Sequence, residues 1–214
     1  MAGTITALVV QKRNKERVNV YLDGEFAFGL AMIEALKLHK GQKLSDEEIA
    51  RLQALDEIEK AHERALNYLS YRPRSVDEVR QNLSKKYPES AVEIVIERLE
   101  RTGLLNDQAF ARFWVENRDQ FKPRSERALR YELRQKGVSD ADIDLALETL
   151  DESDAARRAA EEQVRRYRQA DEGTFRKRLS SFLARRGFSY GIIRDVVDQL
   201  WDERSHQTDM HDQL

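Results

Sequence analysis

The chain of 214 residues is 40% hydrophobic and 36% charged, a balance too polar for one large core and suited to small units packed in series. It has no cysteine, which excludes disulfides and thiolate metal sites and agrees with a reducing, cytoplasmic setting. Its start, Met1-Ala2-Gly3-Thr4-Ile5-Thr6, lacks a basic leader, and the apolar run Ala7 to Val10 is far short of the roughly 20 residues that cross a bilayer, so neither secretion nor membrane insertion is expected.

Residues 4–30 alternate in the manner of strands, with Val18, Val20 and Leu22 on one side of Asp23-Gly24 and Phe26, Phe28 and Leu30 on the other. Asp-Gly between alternating runs predicts a tight hairpin. Thr4 to Val10 adds a third strand across the polar turn Arg13-Asn14-Lys15, giving a small antiparallel sheet, the only β structure expected. Ala31 to Leu38 reads as a short helix ended by Lys40-Gly41, and Ser45-Asp46-Glu47-Glu48 is a capping box that opens the next helix.

From about residue 57 the chain repeats itself with a period near 50. Arg72-Pro73-Arg74-Ser75 returns as Lys122-Pro123-Arg124-Ser125, and Leu83, Leu133 and Leu183 are each followed three residues later by a base, Lys86, Lys136 and Arg186. Gly137 and Gly187 follow in two of the repeats. One further helix carries apolar residues at the same offsets three times: Val92, Val95, Ile96, Leu99; Ile143, Ala146, Leu147, Leu150; Ile193, Val196, Val197, Leu200.

Each repeat reads as three short helices: about 57–69, 75–86 and 90–101; then 107–118, 125–136 and 140–150; then 153–169, 174–186 and 189–201. Serines at the starts accept unpaired backbone N–H groups and glycines at the ends tolerate positive φ. The expected fold is mainly α: three tandem three-helix repeats in an elongated, curved array behind the small N-terminal antiparallel sheet. The expected divisions are the sheet with its short helix (1–43), a first helical repeat with a lead-in helix (44–105), a second (106–151), a third (152–201) and a polar, frayed tail (202–214).

A net charge of −2 conceals strong segregation: Leu44–Glu63 carries −5, Val138–Asp154 carries −7, and Ala155–Tyr190 carries +6. Such a basic block suits a polyanion or an acidic protein face. The usual catalytic constellations are not found. His39, His62, His206 and His211 share no metal-ligand spacing; Asp140, Asp142 and Asp144 mimic a calcium loop, but Leu145 stands where glycine must turn and Asp151 where a bidentate Glu belongs. No glycine-rich phosphate loop is present. Phe110, Trp114, Leu129, Leu133, Phe182 and Leu183 sit at helical spacing and read as core, whereas Tyr190 and Trp201 fit either helix-end packing or stacking on bases. No cofactor, metal or small-molecule substrate is expected.

That leaves the bases. Lys86, Lys136 and Arg186 close helices and complement the helix dipole. Arg72, Arg74, Lys122 and Arg124, and likewise Arg176, Lys177 and Arg178, precede or open helices, where positive charge is locally unfavourable, and so point to a binding role. Arg185 and Arg186 close the third repeat's middle helix, on which Arg178 and Arg185 lie seven residues apart on one side.

Tyr68-Leu69-Ser70-Tyr71-Arg72-Pro73-Arg74-Ser75, Gly103-Leu104-Leu105-Asn106-Asp107 with Phe110-Ala111, Leu133-Arg134-Gln135-Lys136-Gly137-Val138 and Arg185-Arg186-Gly187-Phe188-Ser189-Tyr190 together resemble the RecX family, over roughly residues 57–201. The resemblance implies a non-enzymatic, modular chain that binds the RecA recombinase and its filament on single-stranded DNA. By the same resemblance it limits filament growth and damps ATP hydrolysis, strand exchange and co-protease activity. The competing reading is a non-specific DNA-binding helical module acting through nucleic acid alone. A sequence pI of about 6.2 and alternating acidic and basic helices favour a mixed protein and DNA partner, with weak direct DNA binding. Two departures stand out. Lys86-Tyr87-Pro88 replaces the base-Gly turn in the first repeat, and the segment 4–30 lies outside the resemblance.

Overall fold

A computed structural model describes residues 2–167 and 169–211, with side chains given up to His206. It divides into two compact units, one of residues 1–72 with 78–105 and one of residues 73–77 with 106–214.

In the first unit, β1 (Gly3–Val10), β2 (Arg17–Leu22) and β3 (Glu25–Ala31) form the expected antiparallel sheet. The β2–β3 turn places Asp23 at φ 49° and Gly24 at φ 96°, the positive-φ pair that a two-residue hairpin requires. Strand β2 alternates strictly, burying Val18, Val20 and Leu22. A fourth strand, β4 (Lys43–Leu44), pairs with Gly3 and Thr4, so the sheet order is β3-β2-β1-β4 and the three-stranded expectation is corrected. Between β3 and β4 the expected helix shrinks to one turn, α1 (Met32–Ala35), with Ile33 exposed and Leu36 beyond its end.

The capping box forms as expected: Ser45 Oγ accepts from Glu48 N, and a Glu48 carboxylate oxygen accepts from Ser45 N. That backbone bond and then the Ser45 hydroxyl hold the Glu48 carboxyl below its ordinary pKa. The helix it opens, α2 (Asp46–Leu69), runs unbroken for 24 residues, so the separate lead-in helix and first repeat helix are one element. Asp56, at the expected break, is 3% exposed, and its carboxylate accepts from Arg17 at 2.8 and 2.9 Å and pairs with Lys60 at 2.6 Å. Engaged by the strand behind it and the turn ahead of it, that carboxylate caps nothing. Helix α2 thus serves two cores: Ile49 and Leu52 pack with the sheet, while Ala61 and Ala65 belong to the first repeat with α3 (Val76–Leu83) and α4 (Glu89–Arg101).

In the second unit, α5 (Asp107–Phe121), α6 (Glu126–Arg134) and α7 (Asp140–Leu147) form one repeat. The other contains α8 (Glu152–Val164), α9 (Glu172–Arg185) and α10 (Tyr190–His211). Asn106, Ser125, Ser139, Asp151 and Asp171 cap their helices through side-chain oxygens. Leu83, Leu133 and Leu183 are all fully buried, as is nearly every residue of the thrice-repeated stripe, Leu150 alone staying half-exposed.

Two helix ends correct the expectation. Helix α8 gives way at Arg165 to a 3-10 turn, Arg165–Tyr167. Helix α10 continues through Trp201 to His211, where a frayed tail was expected; residues 212–214 of that tail, and Arg168, lie outside the described residues. The extension is anchored backward. The Arg204 guanidinium donates to the carbonyls of Ala170 at 2.7 Å and Tyr167 at 3.3 Å and lies 4.8 Å from the Trp201 ring centroid, and Glu203 pairs with Arg157 at 3.0 Å.

Candidate partner-binding surface

The Pro-Arg-Ser segments are built into the fold. Ser75 and Ser125 are both fully buried. Ser75 Oγ donates to the Lys136 carbonyl at 2.6 Å, across 61 positions. Ser125 N donates to the Arg186 carbonyl at 3.2 Å, and Arg186 Nη1 donates to the Pro123 carbonyl at 2.8 Å. Each segment therefore grips the end of the middle helix of the following repeat, all within the second compact unit, to which residues 73–77 belong.

The glycines make the grip possible. Gly187 has φ +94°, and a Cβ there would stand 2.5 Å from Ser125 Oγ; Gly137 has φ +74° and lies against Asp77 in the same way. The departure at Lys86-Tyr87-Pro88 stands in the repeat ahead of which residues 1–71 contain no Pro-Arg-Ser segment. The third repeat carries Glu172-Gly173-Thr174-Phe175 in place of the motif. The one-repeat offset between motif and turn was visible in the sequence and is the clue that a repeat-by-repeat reading overlooks.

Against this background the nine predicted binding residues separate. Arg72 is half-buried and forms a two-point bond with Glu78 at 2.8 and 3.1 Å, which raises its pKa. Arg74 is half-buried. Arg124 pairs with Glu132 at 3.1 Å, and the same carboxylate accepts from Arg118 at 2.8 Å and Trp114 Nε1 at 2.9 Å. Above that Trp114 ring lies Lys136 Nζ, 4.3 Å from the centroid. Arg176 pairs with Glu172 at 2.7 Å and with Asp198, which answers its unfavourable place at a helix start. Arg186 serves the joint and covers the Phe182 ring at 4.6 Å; burial lowers its pKa, with Glu162 opposing and Arg124 adding to the effect.

Four of the nine remain outward. Lys122 is exposed at the end of α5, and Lys177, Arg178 and Arg185 are exposed on α9; none of the four forms an ion pair among the described residues. Arg178 lies 5.5 Å from the Tyr167 ring centroid, which brings the turn carrying exposed Arg165 and Arg166 beside α9. Those two arginines belong to the same basic face but were counted in the sequence only as part of the charged block. Tyr190 is 80% exposed, whereas Trp201 packs against Phe175 with centroids 5.3 Å apart, so the helix-end reading holds for the tryptophan. Among the described residues no group of His, Asp or Glu could hold a metal ion, and no helix is long and apolar enough to cross a membrane.

Small three-helix repeats, joined through a repeated Pro-Arg-Ser segment and preceded by a β domain, define a helical-repeat protein whose charged faces are its chemistry. The chain belongs to the RecX family of regulatory proteins. The family's N-terminal domain matches residues 3–45, and its first, second and third three-helix domains match 61–99, 106–147 and 151–197. The regulatory protein RecX of Bacillus subtilis (strain 168) is 35% identical over 211 residues, covering 96% of this chain and 80% of the relative; that of Clostridioides difficile (strain 630) is 29% identical, covering 92% and 96%. A crystal structure of regulatory protein RecX superposes with a TM-score of 0.72 at 31% identity, over 92% of this chain and 99% of the other. The crystal structure of RecX from Lactobacillus salivarius gives 0.59 at 28% identity, over 68% and 97%. The likeness thus reaches the N-terminal sheet, beyond the motif-bearing residues 57–201.

Proposed function

We propose that this regulatory protein acts without chemistry of its own, in the cytoplasm, by binding the RecA recombinase and its single-stranded DNA filament. In this reading it limits filament growth and damps ATP hydrolysis, strand exchange and co-protease activity, and so regulates DNA repair, recombination and the SOS response. The observation that carries the reading is the basic face of the third repeat. In a compact unit where Arg130, Arg134, Arg157, Arg158, Arg176 and Arg194 are all paired with carboxylates, Lys177, Arg178 and Arg185 are not. Unpaired, exposed cations grouped on one helix contribute little to folding and leave their charge for an acidic partner. Lys122 joins them as a partner contact; Arg72, Arg124, Arg176 and Arg186 are engaged within the fold.

The test is RecA-catalysed, DNA-dependent ATP hydrolysis with and without the protein, repeated with Arg178→Glu/Arg185→Glu. The intact chain suppresses hydrolysis, and the double variant needs at least about tenfold more protein for the same effect, the equivalent of about 1.4 kcal/mol. Unchanged hydrolysis with the intact chain refutes the recombinase as partner. The second reading, a DNA-binding module acting through nucleic acid alone, predicts instead that inhibition disappears when DNA is in excess over the recombinase.

A further inference from the structure

The residue before each gripping segment is a large aromatic ring left mostly in water. Tyr71 precedes Arg72-Pro73-Arg74-Ser75 and Phe121 precedes Lys122-Pro123-Arg124-Ser125, the same position of two repeats. Tyr71 is 78% exposed and Phe121 is 63% exposed, each just past or at the end of the first helix of its repeat. In the third repeat the position holds Asp171, which caps α9. Two large rings in water at one repeat position, each followed at once by a cation and then by a buried serine, form a motif that packing does not explain.

We propose that Tyr71 and Phe121 are separate stacking platforms, each receiving one unpaired base of a single-stranded nucleic acid, with exposed Lys122 beside Phe121 meeting the adjoining phosphate. Every base offers a π face, so a lone ring beside a positive charge binds single strands with little regard to sequence. A protein hot spot, by contrast, needs an apolar surround that excludes water. Lys122, exposed and without an ion pair among the described residues, follows Phe121, while Arg72 beside Tyr71 is held by Glu78, and Arg118 and Arg124 are held by Glu132. The Phe121 platform is also stiff. Buried Ser125, four residues on, is fixed by a backbone hydrogen bond to the Arg186 carbonyl, so little freedom of the intervening backbone is lost on binding. The proposal rests on the reading above only for its choice of a partner that carries single-stranded DNA, and its binding measurement contains no recombinase.

The test uses fluorescence anisotropy on the full chain with a short labelled oligothymidylate and an abasic strand of the same length, which has the phosphates without the bases. The parent binds the thymidylate about tenfold more tightly than the abasic strand. Tyr71→Ala/Phe121→Ala brings the two affinities together and leaves the salt dependence as it was, because a ring neutralises no phosphate. Tyr71→Trp/Phe121→Trp keeps the preference. Because both rings are exposed, all variants should melt with the parent. Equal affinity of the parent for the two strands overturns the proposal, as does an alanine variant that still prefers thymidylate. A variant that keeps its preference yet loses recombinase inhibition would show a protein contact instead and equally overturn it. Failure of the intact chain to inhibit the recombinase would refute the proposed function and leave this measurement standing.

Discussion

Helices α6 and α9 occupy the same place in successive repeats, and both are rich in arginine, yet they spend their charge differently. On α6, Arg130 pairs with Glu126 at 3.1 Å and Asp144 at 2.5 Å, and Arg134 pairs with Asp140 at 2.7 Å, which leaves exposed Arg127 as the one α6 arginine without an ion pair among the described residues. On α9 only Arg176 is treated this way; Lys177, Arg178 and Arg185 form no such pairs among the described residues. The difference lies in the third helix of each repeat. Helix α7 offers Asp140 and Asp144 to α6, whereas on α10 Asp195 is taken by Arg194 and, among the described residues, only Asp198 pairs with α9. Density of basic residues therefore overstates the charge left exposed once the repeat has neutralised its own, and that remainder is what we propose meets a partner.

The two helices should be alike beneath that surface. Leu133 on α6 and Leu183 on α9 are fully buried at equivalent positions, so Leu133→Ala and Leu183→Ala should each cost about 2–5 kcal/mol in urea unfolding. A cost below about 0.5 kcal/mol at either would mean that the site is not the packed core described.

On the surface they should part. Arg178→Glu/Arg185→Glu should leave the unfolding midpoint nearly unchanged while raising the concentration needed for inhibition by about tenfold or more. If the variant folds normally and inhibits at the parent's concentration, the unpaired face of α9 is only solvated surface and the comparison loses its functional meaning.

Much of this contrast's framework was legible in the chain. The offsets 0, 3, 4 and 7, the leucines fifty apart, the Asp-Gly turn and the Ser45–Glu48 box all act within a few residues, where local pattern and structure coincide. What escaped is long-range. Strand β4 has two residues and no periodicity, and exists because Gly3 and Thr4 pair with it. The break expected near residue 57 does not form where Arg17, 39 positions back, holds Asp56, and α10 outruns its apolar pattern where Arg204 reaches back to Ala170, 34 positions away. The site divides likewise. Glu172 four residues before Arg176 was a readable pair, but Asp198, 22 positions on, was not. The unpaired Arg178 and Arg185 could be named only together with paired neighbours.

Removing the pairs on α6 should matter less than reversing charges on α9. Arg130→Ala and Arg134→Ala should each cost about 0.2–1 kcal/mol, the usual contribution of an exposed pair, and change inhibition by less than about twofold. A larger functional loss at α6 would show that its paired arginines also meet the partner.

The smallest effect is also the most direct check that α6 is neutralised in solution. A hydrogen bond from Arg134 holds the Asp140 carboxyl below its ordinary pKa, with charge attraction from Arg134 and Arg130 acting in the same direction. A carboxyl with a lowered folded-state pKa gives up its proton more readily in the fold than in the unfolded chain. Its contribution to stability is therefore fully present above the ordinary value of about 3.9, and is lost as pH falls through the lowered one. Asp140 lies in solvent, so the contribution is slight and is better followed by carbon NMR of the carboxyl itself than by unfolding. The Asp140 midpoint should fall below about 3.9 in the intact chain and return toward it in Arg134→Ala. At pH values below that midpoint Arg134 stands unpaired, as Arg178 and Arg185 do on α9 among the described residues. An unshifted midpoint in the parent would mean that the Arg134–Asp140 pair does not persist in water and that α6 is less neutralised than its geometry indicates.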